Sequence, residues 1–288
     1  MELKVIYSGG ENMGNNMLKP KEIYFEISEV YEQKANYPII KSIVLGIFAG
    51  AFIASGGYAA AAASHSIENY GLAKLVAGAI FPVGLIIILI AGTDLFTGNT
   101  LLTILLAEKK IKIRQVIKNW SVIYIANFVG ALFVAALIYY SGLLDGNSFK
   151  LGGYTLKTAI AKASLSPMKA FLSGILCNIL VCTAVWLSYS AKDIAGKIAG
   201  IWFPIMAFII GGFEHSVANM YYFSAALLAK NNSHYVESMH ITADKLQYLN
   251  IKHILINNII PVTLGNIVGG GLLIGIGFWI VFSYSEKK

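Results

Sequence analysis

Apolar stretches long enough to cross a bilayer begin near residues 38, 75, 116, 168, 198 and 254, with polar segments between them. A hydrocarbon core about 30 Å thick takes about 20 apolar helical residues, so the pattern predicts six spans. Ahead of the first span, "KPKEIYFEISEVYEQKA" (residues 19 to 35) sets Ile23, Ile27, Val30 and Tyr31 on one helical face and glutamates on the other. That periodicity predicts an amphipathic helix, either resting on the membrane surface or forming a cytoplasmic lid that can gate a pore. Residues 1 to 17 lack periodicity and predict a loose tail.

Two of the apolar runs are too long for one span. Leu75 to Ala107 covers 33 residues, interrupted by "GTDLFTGN", and Ile198 to Ala229 covers 32, interrupted by "GGFEHSVAN". A straight helix of that length would extend roughly 50 Å, well beyond the hydrocarbon core. Each run therefore predicts two half-helices joined by non-helical chain, which survives at that depth only when it is buried in protein or lines a cavity.

The two interruptions share the pattern G-x-[DE]-x-x-x-x-N, pairing Gly92, Asp94 and Asn99 with Gly212, Glu214 and Asn219. Phe-Pro precedes each (Phe81-Pro82 and Phe203-Pro204), and N-[FI]-V-G follows each, at Asn127 to Gly130 and Asn266 to Gly269. Three matches in one order predict an internal repeat. With three spans per half, the second half must lie inverted, which is the plan of transporters and channels whose site sits at broken helices near the midplane. Gly46 and Gly50 in the first span, and Gly265, Gly269, Gly271 and Gly275 in the sixth, predict closely packed helices.

Composition agrees with the spans: of 288 residues 57% are hydrophobic and 13% charged, and the mean hydropathy is +0.66. The net charge of +7 comes from lysines and arginines scattered over loops, not grouped with aromatics, so nucleic-acid binding is excluded. Short basic loops stay in the cytoplasm. With both termini inside, 14 Lys and Arg fall on the cytoplasmic side and 8 outside. The polar first three dozen residues show no cleavable signal, so the first span is expected to direct insertion. The organisation expected is a tail and amphipathic helix (1–36), a first repeat (37–142), an extracellular basic connector (143–167) and a second repeat with a short cytoplasmic C-terminus (168–288). Cys177 and Cys182 share one span, no metal-ligand spacing is present, and no cofactor is expected. Neither HExxH nor a Gly-x-Ser-Gly nucleophile loop supports an intramembrane enzyme.

The chemistry concentrates at the breaks. Each second half-helix starts with its N-terminus aimed at the midplane, where free N–H groups favour an anion, and Thr97 and Ser216 stand where caps or donors belong. Asp94 and Glu214 would repel an anion, so they read as loop scaffold accepting backbone N–H groups, with a proton relay as the other reading. His215 alone among the five histidines falls deep in a span. It reads as a filter group able to set charge or hand over a proton, with Phe81, Leu85, Leu95 and Phe208 as apolar brackets. A small weak acid would pass such a filter most easily in neutral form. A pore for water, ammonia or another neutral solute shares the same plan. Lys150, Lys157, Lys162 and Lys169 in the connector read either as a solvated surface or as an electrostatic funnel.

"DLFTGN" together with "GFEHSVANMYYF" resembles the formate/nitrite transporter family over residues 19 to 284, closest in appearance to its clostridial hydrosulfide-conducting members. The resemblance implies an aquaporin-like protomer in a homopentamer within the lipid bilayer of the cell membrane, one pore per subunit, passing formate, nitrite, hydrosulfide or similar small monovalent anions. It implies His215 as central histidine facing Thr97, and Lys162 with Asn178 as an outer anion-attracting pair. It further implies apolar slits from Phe81, Leu85, Leu95, Phe96, Val181 and Phe208. In the first loop, Gly98 stands where the family alternative is a bulkier or hydroxylated residue.

Overall fold

The computed structural model describes residues 17–284 and is all-helical; the sequence-predicted tail and the last four residues lie outside the described residues, apart from Met17. Six helices or helix pairs are long and apolar enough to cross a membrane. Span one is α2 (Ile39–Ser64). Span two is built from α3 (Tyr70–Ile80) and α4 (Val83–Ala91), followed after a break by the short helices α5 (Phe96–Asn99) and α6 (Leu102–Ala107). Span three is α7 (Ile113–Tyr140). Span four is α9 (Pro167–Ser190), and span five is α10 (Ile194–Gly211), continued after its break by α11 (Ser216–Ala229). Two short helices, α12 (Ser233–Ser238) and α13 (Ala243–Leu246), lead to span six, α14 (Ile251–Tyr284), which alternates α and π geometry.

The halves assemble alike. In each, the first span lies along the third: α2 on α7, and α9 on α14. The half-helix after each break crosses to the third span of the other half, α11 to α7 and α6 to α14. Small residues permit this. A Cβ at Gly50 would run into the backbone of Asn127, so the α2–α7 crossing closes only around a residue without a side chain. Both breaks open the same way, with Gly92 (φ +73°) and Gly212 (φ +69°) in the left-handed conformation that ends a helix and that glycine adopts without strain.

Two further helices lie outside the spans. α1 (Pro20–Ala35) is the amphipathic helix, with Pro20 in its first turn and Glu22 Oε2 accepting the Lys19 N–H at 2.7 Å. Ile23, Tyr24, Ile27, Ser28 and Tyr31 are buried against Leu101, Leu105, Val185 and Trp186, covering one mouth of the bundle. The second, α8 (Lys150–Ala163), takes up most of the expected basic connector 143–167: Leu151, Leu156, Ala159 and Ile160 are buried, and the helix packs on α11 and α12. α1 precedes the first repeat and α8 the second, so the repeated unit is a short helix plus three spans.

The Phe-Pro match is a correction too. Phe81 is 1% exposed, whereas Phe203 is 71% exposed; Pro82 starts a new helix, whereas Pro204 lies within α10. The offset of 120 that aligns Asp94 with Glu214 instead pairs Phe81 with Ile201, Leu85 with Ile205 and Ile88 with Phe208, and all six are buried.

Candidate functional site

A side-chain hydrogen bond joins the two breaks at the centre. Thr97 Oγ1 and His215 Nε2 are 2.8 Å apart, and both residues are buried. His215 is also the N-cap of α11, because its Nδ1 accepts the Ala218 backbone N–H at 3.0 Å. An Nδ1 that accepts cannot carry a proton, so the imidazole holds its single proton on Nε2 and donates it to Thr97. The Thr97 hydroxyl hydrogen then remains for a third group. Thr97 and Ser216 do not cap: the N-cap of α5 is Leu95, which makes no side-chain cap hydrogen bond, and the Ser216 Oγ has no partner among the described residues.

Each break is gripped by a network repeated almost atom for atom. In the first, Asn127 Oδ1 accepts the Phe96 N–H (2.9 Å) while its Nδ2 donates to Gly46 O (2.8 Å) and Asp94 O (3.0 Å). In the second, Asn266 Oδ1 accepts the Ser216 N–H (2.9 Å) and its Nδ2 donates to Gly174 O (2.8 Å) and Glu214 O (3.1 Å). Asn99 Nδ2 donates to Asn119 Oδ1 at 2.8 Å, and Asn219 Nδ2 to Asn258 Oδ1 at 2.7 Å. Asn119 and Asn258 in turn donate to the carbonyls of Lys34 and Lys162.

Those lysines hold the two carboxylates. Lys34, in the last turn of α1, reaches Asp94 Oδ1 at 3.0 Å; Lys162, in the last turn of α8, reaches Glu214 Oε1 at 2.8 Å. The two acids bond to ammonium and amide groups, where the sequence led us to expect backbone N–H donors. Glu214 Oε2 accepts from Asn219 (2.7 Å) and Asn258 (2.8 Å), while Asp94, one methylene shorter, leaves Oδ2 without a partner among the described residues. Charges this deep persist because each is paired and hydrogen-bonded.

The symmetry fails where the path would run. Offset by 120, His215 corresponds to Leu95 and Thr97 to Val217, so one crossing of the breaks is polar and its counterpart apolar. Asn178 is not at an outer mouth. It is fully buried at the centre and donates to Thr97 O (3.2 Å), Thr100 Oγ1 (3.1 Å) and Asn266 O (2.7 Å), tying the two breaks together. Phe81 and Phe208 meet edge to face with ring centroids 5.5 Å apart, and Phe208 stacks over the His215 ring at 6.0 Å. Leu85, Leu95 and Val181 are buried in the same apolar cluster. Phe96 is buried in that cluster too, its ring edge-on to Tyr124 and Trp120 of α7 at 4.8 and 6.2 Å.

The two mouths differ. Opposite α1, a vestibule of about 660 Å³ descends from His65 and Tyr70 past Lys74, Lys162 and Tyr222 to a floor at Phe208 and His215. On the α1 side, Tyr31 fills the corresponding space and donates its hydroxyl to Gly98 O at 3.0 Å. The residue at that place in α8 is Ala159, which leaves its mouth open.

Residues 21–280 match the family model described as Formate/nitrite transporter. The chain belongs to the formate/nitrite transporter family. It is 39% identical to the formate channel FocA of Haemophilus influenzae, covering 93% of this chain and 96% of that protein. It is 37% identical to a probable formate transporter of Methanothermobacter thermautotrophicus, covering 94% and 99%. Among solved structures it superposes on a pentameric formate channel with formate bound (TM-score 0.76, 30% identity, 85% and 97% of the chains covered). A second match is an ion channel of the same family (TM-score 0.73, 28% identity, 91% and 98% covered). Formate/nitrite transporter membership fits the halves above: two inverted units meeting at broken helices, in relatives that are channels and transporters, not enzymes.

Sequence reasoning missed Asn119 and Asn258. The signal was present, since each stands eight residues before the asparagine of N-[FI]-V-G, at 119 and 127 and again at 258 and 266.

Proposed function

We propose that the chain is a transmembrane channel or transporter for small monovalent weak-acid anions, with formate first and hydrosulfide and nitrite as candidates of the same size and charge. The observation that carries this reading is the His215–Thr97 pair, a single polar contact set beside the Phe81–Phe208 apolar constriction and below an open vestibule. With Nδ1 occupied by the Ala218 N–H, His215 has no standing positive charge to offer an anion. The centre therefore suits a substrate that enters the slit as the neutral acid, having taken its proton in the vestibule. There it exchanges hydrogen bonds with Thr97 and the His215 Nε2–H. Passing neutral avoids a cost of about 2.5 kcal/mol or more for a charge at the bilayer centre.

In this reading Lys162 and Glu214 shape the vestibule floor, Lys34 and Asp94 hold α1 over the other mouth as a lid, and Asn178 binds the two breaks. The chain is proposed to form homopentamers in the cell membrane with both termini cytoplasmic, on the grounds of the pentameric neighbour and the distribution of basic loops. Proteoliposomes are expected to take up formate faster than protein-free vesicles and to gain one proton in the lumen per formate. Flux no greater than in protein-free vesicles for formate, nitrite and hydrosulfide alike would overturn the proposal.

A further inference from the structure

Of the two vestibule cations outside the half-networks, Lys74 and Lys169, Lys74 is the one beside a break. It stands on α3, half-buried, and lines the vestibule together with Lys162 and Glu214. Its ammonium lies beside Gly212, 3.4 Å from where a Cβ there would sit, at the very break that carries His215. Lys34 and Lys162 are each tied to a carboxylate, whereas Lys74 makes no ion pair and no hydrogen bond among the described residues. Its nearest aromatic face, the Tyr70 ring, is 5.8 Å away.

The fold does not need a cation there. The scaffold residues recur in both halves, but the position that corresponds to Lys74 at the offset of 120 is Ile194, which is 62% exposed. An unpaired ammonium that the repeat does not require, at the lower end of an open chamber and one turn of chain from the central histidine, has the chemistry of an anion-holding group. Glu214 spends its hydrogen bonds on Lys162, Asn219 and Asn258 and reaches Lys74 only as a neighbouring charge, with no contact between them.

From this geometry we infer that Lys74 is a positioning residue, binding the small anion in the vestibule as an encounter site before it reaches His215 and Thr97. The inference rests on the transport reading above. It gives the vestibule mouth a charged docking site that the α1 mouth lacks, and it sets how much substrate is needed for half-saturation. It leaves the rate through the slit to other residues.

The test is initial formate uptake into proteoliposomes against formate concentration, for the wild-type chain, Lys74→Gln and Lys74→Arg, at low and at high ionic strength. Lys74→Gln is expected to raise the half-saturating concentration about three- to fivefold at low salt, the scale of one partly screened charge pair. The maximal rate should stay at the wild-type level. Lys74→Arg should restore the wild-type curve, and added salt should shrink the difference. A merely structural lysine would lower thermal stability without moving half-saturation. Wild-type flux with an unshifted Lys74→Gln curve overturns this inference and leaves the transport reading standing. A wild-type protein without any anion flux overturns both.

Discussion

Removing the Asn266 carboxamide tests whether the breaks are held by side chains. Asn266→Ala deletes the partner of the Ser216 N–H, of Gly174 O and of Glu214 O, all at 3.1 Å or less around a fully buried residue. A buried polar group left without a partner costs about 1–3 kcal/mol; Gly174 O keeps its N–H partner within α9, so the two stranded groups amount to about 2–6 kcal/mol. Asn127→Ala removes the same three kinds of bond from the first break and should cost the same within about 1 kcal/mol, by that reasoning. For a protein of this size each kcal/mol moves the unfolding midpoint by about 2–4 °C, so both variants should lose at least about 4 °C. The assay is the temperature at which half of the purified protein leaves its folded peak in size-exclusion chromatography. Thr183→Ala, which gives up one bond to Ile179 O within a single helix, serves as the control expected to stay near wild type. Midpoints for both asparagine variants within about 2 °C of wild type would refute the reasoning. A large loss in only one would refute the equivalence of the halves.

Glycine substitutions should separate close approach from mere absence of a side chain. Gly50→Ala drives a methyl into the Asn127 backbone and should cost about 1–3 kcal/mol or more in the same thermal assay. Gly98→Ser should fold as wild type, because a Cβ at 98 meets Tyr31 Oη at 3.6 Å and Val185 at 3.7 Å, both ordinary contacts. Docking of α1 should be indifferent to pH between 7 and 9, read by protease cleavage within α1. Burial pulls the Lys34 pKa down and the Asp94 carboxylate pulls it up, with a net rise above the usual lysine value. A raised folded-state value gives stability that is fully present below the ordinary lysine pKa and is lost only as pH climbs through the raised one. Release of α1 between pH 7 and 9 would contradict that assignment.

The spans and the two breaks were legible because lipid imposes a simple grammar, whereas the pairing of His215 with Thr97 came only with the family resemblance. Twenty apolar residues make a crossing, and an acid, an imidazole and a glycine inside such a run need a reason. What stayed hidden depends on direction in space. Nothing in the segments around Asp94 and Glu214 names Lys34, 60 residues earlier, or Lys162, 52 residues earlier, as their partners. α8 has only 14 residues with a short apolar stripe, and its lysines made it read as a loop. Phe-Pro matched in sequence but not in space, since Phe81 turns inward and Phe203 outward. Asn178 has a polar side chain within an apolar span, and only the position of Asn266 O and Thr97 O shows that it joins the two breaks.

The neutral-centre account is tested most directly by His215→Asn, with formate uptake and luminal acidification measured together. Asparagine is a good N-cap, can accept the Ala218 N–H as His215 Nδ1 does, and still offers N–H donors at the centre, but it cannot take up a proton. The account expects His215→Asn to carry formate within about tenfold of the wild-type rate, a difference of about 1.4 kcal/mol, and still to move one proton with each formate. A folded His215→Asn protein that passes no formate would contradict it, and would show that the imidazole itself must change charge during each passage.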